Sequence, residues 1–484
     1  MSDGLTRREV AGVVLAGAGA WAWASAEGAS AAADPLVLDD ASGLNATRVA
    51  RLVQARPDAA LVEALRRELK DAAAAGRPVC VGGARHSMGG QSLAGGGTAV
   101  TFDTGGCAPD AASLTYRAHA GARWRDVIAV LDPLGFAPKV TQSNSDFTLG
   151  GTFSVNAHGW AAPLGPMGST VRAATILLAD GRVVRCSREV EPELFALAMG
   201  GYGLVGVILD LEVEMARNTS LAPRYEEMPA RDFGPRFAGA VKAPGVVMAY
   251  GRLSVARRDF LEKALMAVYR PVDTAPRPLA GGSEAMAGVA RQVYRAQIGS
   301  DAWKETRWWA ETELKPRLEP KVVTRNALIA LPVSALAGHD RRRTDILHEY
   351  FLPPDGLAGF LEDCRRIIPK SGLELLNITL RYVAPDPTSV LAFAPGERVA
   401  GVMSFSQPKT DAAEAAMRAM TQGLVDSALA HGGSFYLPYR LHARPDQAAR
   451  AYPNLARFAE AKRRLDPGGL FRNALWDRYF VTAA

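Results

Sequence analysis

The sequence predicts an α+β fold in two units, and three observations carry that expectation. Up to about Glu214, short apolar runs switch repeatedly between a helical and a two-residue period. The same stretch holds most of the glycine-rich loops. From residue 215 to 435 such loops become few, and strand-like runs alternate with helices, which suggests an antiparallel sheet covered by helices on one face. The boundaries expected are 34–215, 216–435, and a closing segment 436–484 that returns to the first unit.

The elements follow in order. Residues 1–33 read as a targeting segment: Thr6-Arg7-Arg8-Glu9-Val10 precedes a weakly apolar run, Ala11 to Ala24, followed by small-residue cleavage signals. Paired arginines before a weak apolar region look like a twin-arginine signal, so a periplasmic or secreted protein is expected, with no stable membrane span in the mature chain. Leu61, Val62, Leu65 and Leu69 mark one face of a helix over 57–75. Pro78 to Val81 and Ala99 to Phe102 read as strands, and Trp124 to Leu134 as a helix ending at Gly135. Ala173 to Arg185, turning at Asp180-Gly181, is a hairpin. A helix over Glu193 to Met199 runs into a strand, Leu204 to Val213. Farther on, Val246 to Tyr250 and Ala400 to Phe405 read as strands and Leu357 to Ile368 as a helix. A Trp-rich helical segment (Trp303, Trp308, Trp309) lies within 280–330.

The bulk numbers narrow the function. A net charge of +6 over 484 residues is mild, and no basic stretch is interleaved with aromatics, which argues against a nucleic-acid groove. Cys80, Cys107, Cys186 and Cys364 lie far apart with no CxxC, which argues against structural zinc and leaves any disulfide unassigned.

Three loops carry chemistry. In the first, Pro78 to Gln91, a buried strand enters a turn of small residues holding one imidazole, His86. Glycines there expose backbone N–H groups to a bulky anionic ligand, and an imidazole can attack an electrophilic methyl group. The second runs from Thr141 to Trp160 through Gly150-Gly151 and His158. The third, Glu193 to Ile208, contains GxGxxG at Gly201, Gly203 and Gly206. A dinucleotide fingerprint needs a strand before and a helix after. Here the order is reversed, so the nicotinamide reading fails.

In order and spacing, these segments resemble the oxidoreductases related to vanillyl-alcohol oxidase, whose FAD-binding domain is of the PCMH type. The resemblance covers roughly residues 45–215. It implies FAD contacts from Gly82, Gly83, Ala84, Arg85, His86, Ser87, Gly90 and Gln91, then Gly150, Gly151, Thr152, Ser154, Asn156 and Gly159, then Gly203, Gly206, Val207 and Ile208. It also implies a covalent 8α-histidyl link at His86. Bicovalent members carry a Cys near the second segment; none of the four cysteines lies there.

The later half is most similar to the decaprenylphosphoryl-ribose oxidases, through Glu349-Tyr350-Phe351-Leu352-Pro353, Leu376-Asn377-Ile378, Gly432 to Tyr436, and Tyr452-Pro453 to Phe471. Residues 217–340 match no named group. The similarity places His158, Trp160, Glu349, Asn377, Arg381, Gln407, Tyr436 and Tyr439 as candidate substrate-facing groups, with Arg381, Tyr436, Asn377 and His158 expected to converge on one cleft. Two lysines of that group become Trp160 and Tyr439, which argues against a phosphorylated lipid substrate. Of the Glu-x-Arg pair and later Lys in polyol and aldonolactone oxidases, only Arg381 remains, the later position falling near Gln407. Lys462, beside Arg463 and Arg464, reads as part of a solvated face. The resemblance implies an exported FAD-dependent oxidoreductase acting on a CH–OH group of a sugar, polyol or lactone-like molecule, with oxygen or a quinone or cytochrome as acceptor. The rivals are amine oxidation of the cytokinin-dehydrogenase type and a non-catalytic flavin-binding protein.

Overall fold

The computed structural model describes residues 34–279, 292–318, 320–330 and 340–481. The targeting segment expected at 1–33 lies outside them.

The first unit is built on two sheets. Arg51–Gln54, Thr98–Thr101 and Val79–Gly82 form a small parallel sheet with Thr98–Thr101 in the middle. The helix Leu61–Ala74 buries Leu61, Leu65, Leu69 and Ala72 in the same core as Val79 and Val100. The larger sheet is antiparallel and centres on Val207–Arg217, which pairs with Val171–Leu177 on one side and Thr115–His119 on the other. The expected hairpin is present, Val171–Leu177 pairing with Val183–Ser187. The helix Trp124–Leu131 passes through a 3-10 turn to Gly135 in the left-handed region. At the GxGxxG stretch a helix, Pro192–Ala198, precedes and the strand Val207–Arg217 follows.

The second unit is an eight-stranded antiparallel sheet. Its central order is Met248–Leu253, Glu374–Val383, Arg398–Pro408, Arg343–Leu352. One face packs on the helices Ala230–Lys242, Leu357–Ile367 and Asp411–Ala430, with Phe233, Phe360, Ile378, Leu380 and Met417 in a shared core. Strand residues alternate between faces. Thr379 and Arg381 therefore lie on the side away from those helices, as do Leu347, Glu349 and Val402. That is the face turned to the first unit. The Trp-rich helix Asp301–Trp309 continues into Ala310–Leu314 and is tied to this sheet by Arg307, which donates to the carbonyl of Leu376 at 2.8 Å.

The tail returns to the first unit. Val79 N–H donates to the Leu470 carbonyl at 2.7 Å, and Arg472 N–H donates to the Val79 carbonyl at 3.0 Å. Lys462 corrects the sequence reading. It is buried, paired with Asp466 at 2.8 Å, and lies 4.7 Å from the ring centre of Trp476. Helical spacing put it beside two exposed arginines, but docking of the last helix covers it. All four cysteines are free thiols. Among the described residues no helix is long and apolar enough to cross a membrane.

Candidate active site

One cleft, about 1040 Å³ including its open mouth, gathers the three loops against the second unit. The first loop supplies residues 81–87, 91 and 92; the second contributes Gln142 to Asn144, Phe147, Thr148, Gly151, Thr152, Ser154, Val155 and His158. The third contributes Tyr202. Leu347, Glu349, Val402, Tyr436, Pro438 and Tyr439 close the opposite wall. The loops meet tightly: a Cβ on Gly83 would lie 2.1 Å from Thr148 Oγ1, so only glycine fits. Thr148 in turn caps the short helix Leu149–Ser154. Arg85, Asn156 and Tyr202, one in each loop, have φ of 49°, 45° and 55°. Such left-handed non-glycine backbone is costly and tends to cluster at functional sites.

His86 sits at the wall of this cleft. Its Nδ1 is shielded with no hydrogen-bond partner among the described residues, and its ring lies 4.2 Å from that of Phe147. Burial lowers its pKa to about 4, with Asp146 opposing and Arg123 assisting. The imidazole is therefore neutral near pH 7 and keeps a lone pair free for attack on carbon. A shielded nitrogen without a partner, beside a glycine turn that admits only backbone, fits a flavin ring and its pyrophosphate.

Across the cleft, Nε2 of His158 contacts Oε1 of Glu349, and both residues are buried. The Tyr439 hydroxyl donates to Oε2 of Glu349 at 3.1 Å, and the Tyr436 hydroxyl donates to the Val155 carbonyl at 2.9 Å. Burial first, then Glu349, raises both phenols well above their usual range, so they act as donors. Phe351, Phe393 and Tyr436 surround the His158 ring with centroids at 5.2, 5.8 and 6.0 Å.

The expected substrate-facing residues divide. His158, Glu349, Tyr436 and Tyr439 meet in the cleft. Arg381 lies just behind it, donating to Ser143 Oγ at 3.3 Å with its guanidinium 4.8 Å from the ring centre of Trp160. Asn377 is not brought to the cleft. It stands four residues up the strand, about 13 Å away along it, where Arg307 donates to its Oδ1 at 2.9 Å. Gln407 faces the other way, toward Asp411–Ala430, and donates to Glu414 at 3.0 Å. Gly90, Gly150, Asn156, Gly159, Gly203, Gly206, Val207 and Ile208 do not line the cleft. They lie behind or beyond it. Asn156, for example, donates to Asp386 at 2.8 Å and accepts from Gly168 N–H at 2.9 Å. Gly206, at φ of 151°, turns the chain into the following strand where a Cβ would meet Ile176 at 2.7 Å. Phe147, Thr148, Leu347, Val402 and Pro438 were not picked out from the sequence. Leu347 and Val402 carry no local signal, because only strand register places them here.

Comparison with known proteins places a known domain over the first two loops. Residues 58–187 match the FAD binding domain family. The chain is 35% identical over 141 residues to cytokinin dehydrogenase 4 of Oryza sativa subsp. japonica, covering 27% of this chain and 26% of that protein. It is 30% identical over 135 residues to cytokinin dehydrogenase 2 of Arabidopsis thaliana, covering 27% and 26%. An uncharacterized oxidoreductase in the fasciation locus of Rhodococcoides fascians is 28% identical over 159 residues, covering 33% and 36%. The chain thus spans between 26% and 36% of the length of these relatives.

Proposed function

We propose, from the premise that this chain belongs to the PCMH-type FAD-linked flavoproteins of the vanillyl-alcohol oxidase superfamily, that it is an FAD-dependent oxidoreductase acting on a CH–OH donor. The observation that carries this reading is the buried His158–Glu349 pair facing the same cleft as His86. Oxidising an alcohol carbon removes a hydride and the hydroxyl proton. FAD, when bound, supplies the hydride acceptor. The chain must supply the proton acceptor, and an imidazole backed by a carboxylate is suited to that role. A neutral amine already has a nitrogen lone pair to drive hydride loss, so it needs such a base less. Tyr439 holds Glu349 through its second oxygen, and the aromatic wall around His158 keeps water away from the transfer.

His86, Gly83 and the residues around them would hold the flavin, with His86 as its covalent anchor. Export is part of the same proposal, supported by the arginine pair Arg7-Arg8 ahead of the Ala/Gly-rich run. The similarity to proteins named cytokinin dehydrogenases supports amine oxidation as the competing reading.

The test is anaerobic stopped-flow reduction of the purified yellow protein by a panel of sugars, polyols, lactones and amines. At least one alcohol should bleach it. His158→Ala and Glu349→Gln should slow that step by about 100- to 10,000-fold while flavin content holds, the range for losing a general base. Bleaching by amines alone, or variants that match the wild type, would contradict the reading.

A further inference from the structure

On the side of the second sheet turned toward the first unit, Arg381 is a buried cation whose carboxylate neighbour Glu349 acts on it through space without forming an ion pair. Arg252, Arg307, Lys315 and Arg381 are all buried. Glu311 pairs with Arg307 at 2.8 Å and with Arg252 at 3.6 Å, and Lys315 reaches the Tyr250 hydroxyl. Arg381 has no carboxylate within ion-pair distance among the described residues. Its Nε and Nη1 are buried without a hydrogen-bond partner there, as is Nε1 of Trp160, over whose ring it lies. An isolated buried guanidinium with unfilled N–H groups is among the costlier arrangements a fold can hold. Burial and the nearby Arg252 pull its pKa down to about 9, which still leaves it charged near neutrality.

The place is next to the cleft. Ser143, which accepts from Arg381, lines the cleft. Trp160 follows His158 by two residues on a segment paired with the same loop, through the Gln142–Gly159 bridge. Around Trp160 stand Tyr250 and Tyr269, with ring centroids at 5.8 and 6.5 Å, in an otherwise apolar cluster. The surroundings thus combine one forked cation, an indole N–H and buried aromatic rings. A guanidinium fork matches a planar carboxylate, and the rings match an apolar or aromatic body attached to it.

We propose that Arg381, with Ser143 and Trp160, forms a subsite for the carboxylate of an aromatic or apolar acid, placed beside the His158–Glu349 pair. This rests on the oxidoreductase reading only in taking the acid's other end to be the part oxidised. Arg381 is then a binding residue.

Calorimetric titration of the purified flavoprotein with benzoate, benzamide and inorganic phosphate tests this without turnover. Benzoate should bind, with benzamide at least about tenfold weaker and phosphate giving no saturable heat. Arg381→Met should weaken benzoate by about 10- to 100-fold, the range of a lost charged hydrogen bond, and leave benzamide unchanged. Arg381→Lys should recover part of the loss. Equal or absent binding of benzoate and benzamide to the wild type overturns the subsite even if the methionine variant fails to fold. So does binding of phosphate in place of benzoate, or unchanged benzoate binding by a folded Arg381→Met protein. Benzoate binding by a protein that no alcohol reduces would instead refute the proposed reaction and keep the subsite.

Discussion

His348 shows how burial sets the chemistry of single residues here. It lies on the helix-facing side of Arg343–Leu352, with Nε2 against Thr421 Oγ1 at 3.3 Å and Nδ1 against the Tyr350 hydroxyl at 3.2 Å. Burial, then His442, lowers its pKa to about 3. An unfolded histidine titrates near pH 6.5. Below that, the unfolded chain takes up a proton that the folded one refuses until about pH 3, so stability is full above about 6.5 and lost as the pH falls. The melting temperature should drop between about pH 6.5 and 5, before most carboxylates titrate, and His348→Gln should flatten part of the drop. A flat profile there would contradict the assignment. Nothing in the sequence set His348 apart. It has the same residue type as His86 and His158, but strand parity turns it toward the helices. His86 was legible because its neighbours are small, and a lone imidazole among glycines has few structural uses. Arg381 was legible as a candidate by position, whereas the absence of an ion pair to it among the described residues is visible only in three dimensions.

At the scale of elements, the returning tail matters most. Beyond its backbone bonds to Val79, Asn473 donates to the carbonyls of Gln91 and Tyr202 at 2.8 and 2.9 Å, joining the first and third loops through one buried amide. Truncation before Tyr452 removes these links and the Lys462–Asp466 pair together. The shortened chain should lose both soluble folded protein and bound flavin, checked by size-exclusion chromatography and the absorption spectrum. Normal flavin occupancy in a truncated protein would refute the docking. Helices and strands such as Leu61–Ala74 were readable from periodicity because they bury an apolar stripe, as at Leu61, Leu65 and Leu69; Ser220–Pro229, Ala230–Lys242, Lys263–Pro271 and Asp411–Ala430 were not read. Which side chains meet across the sheet was not readable. Glu374–Val383 and Arg343–Leu352 both pair with Arg398–Pro408, and a shift of one residue would exchange Gln407 for its neighbours on the cleft side.

At the scale of the molecule, the cleft exists because two units close on each other. The first offers three loops whose backbone admits a large planar ligand, and the second offers the outward face of a sheet. The loops announce themselves through glycine spacing. The sheet face does not, since its polar residues are scattered over three strands whose spatial order differs from their order in sequence. That is why Glu349 and Tyr439 were placed among many candidates, and why Asn377 was expected too close. We propose that His86 is where this chain holds its flavin. Acid precipitation followed by trypsin and mass spectrometry tests it most directly, because cleavage after Arg85 and Arg117 isolates residues 86–117, in which His86 is the only histidine. A yellow pellet and a flavin-bearing 86–117 peptide modified at His86 are expected; flavin released wholly into the supernatant, or attached to any other residue, would contradict this anchor.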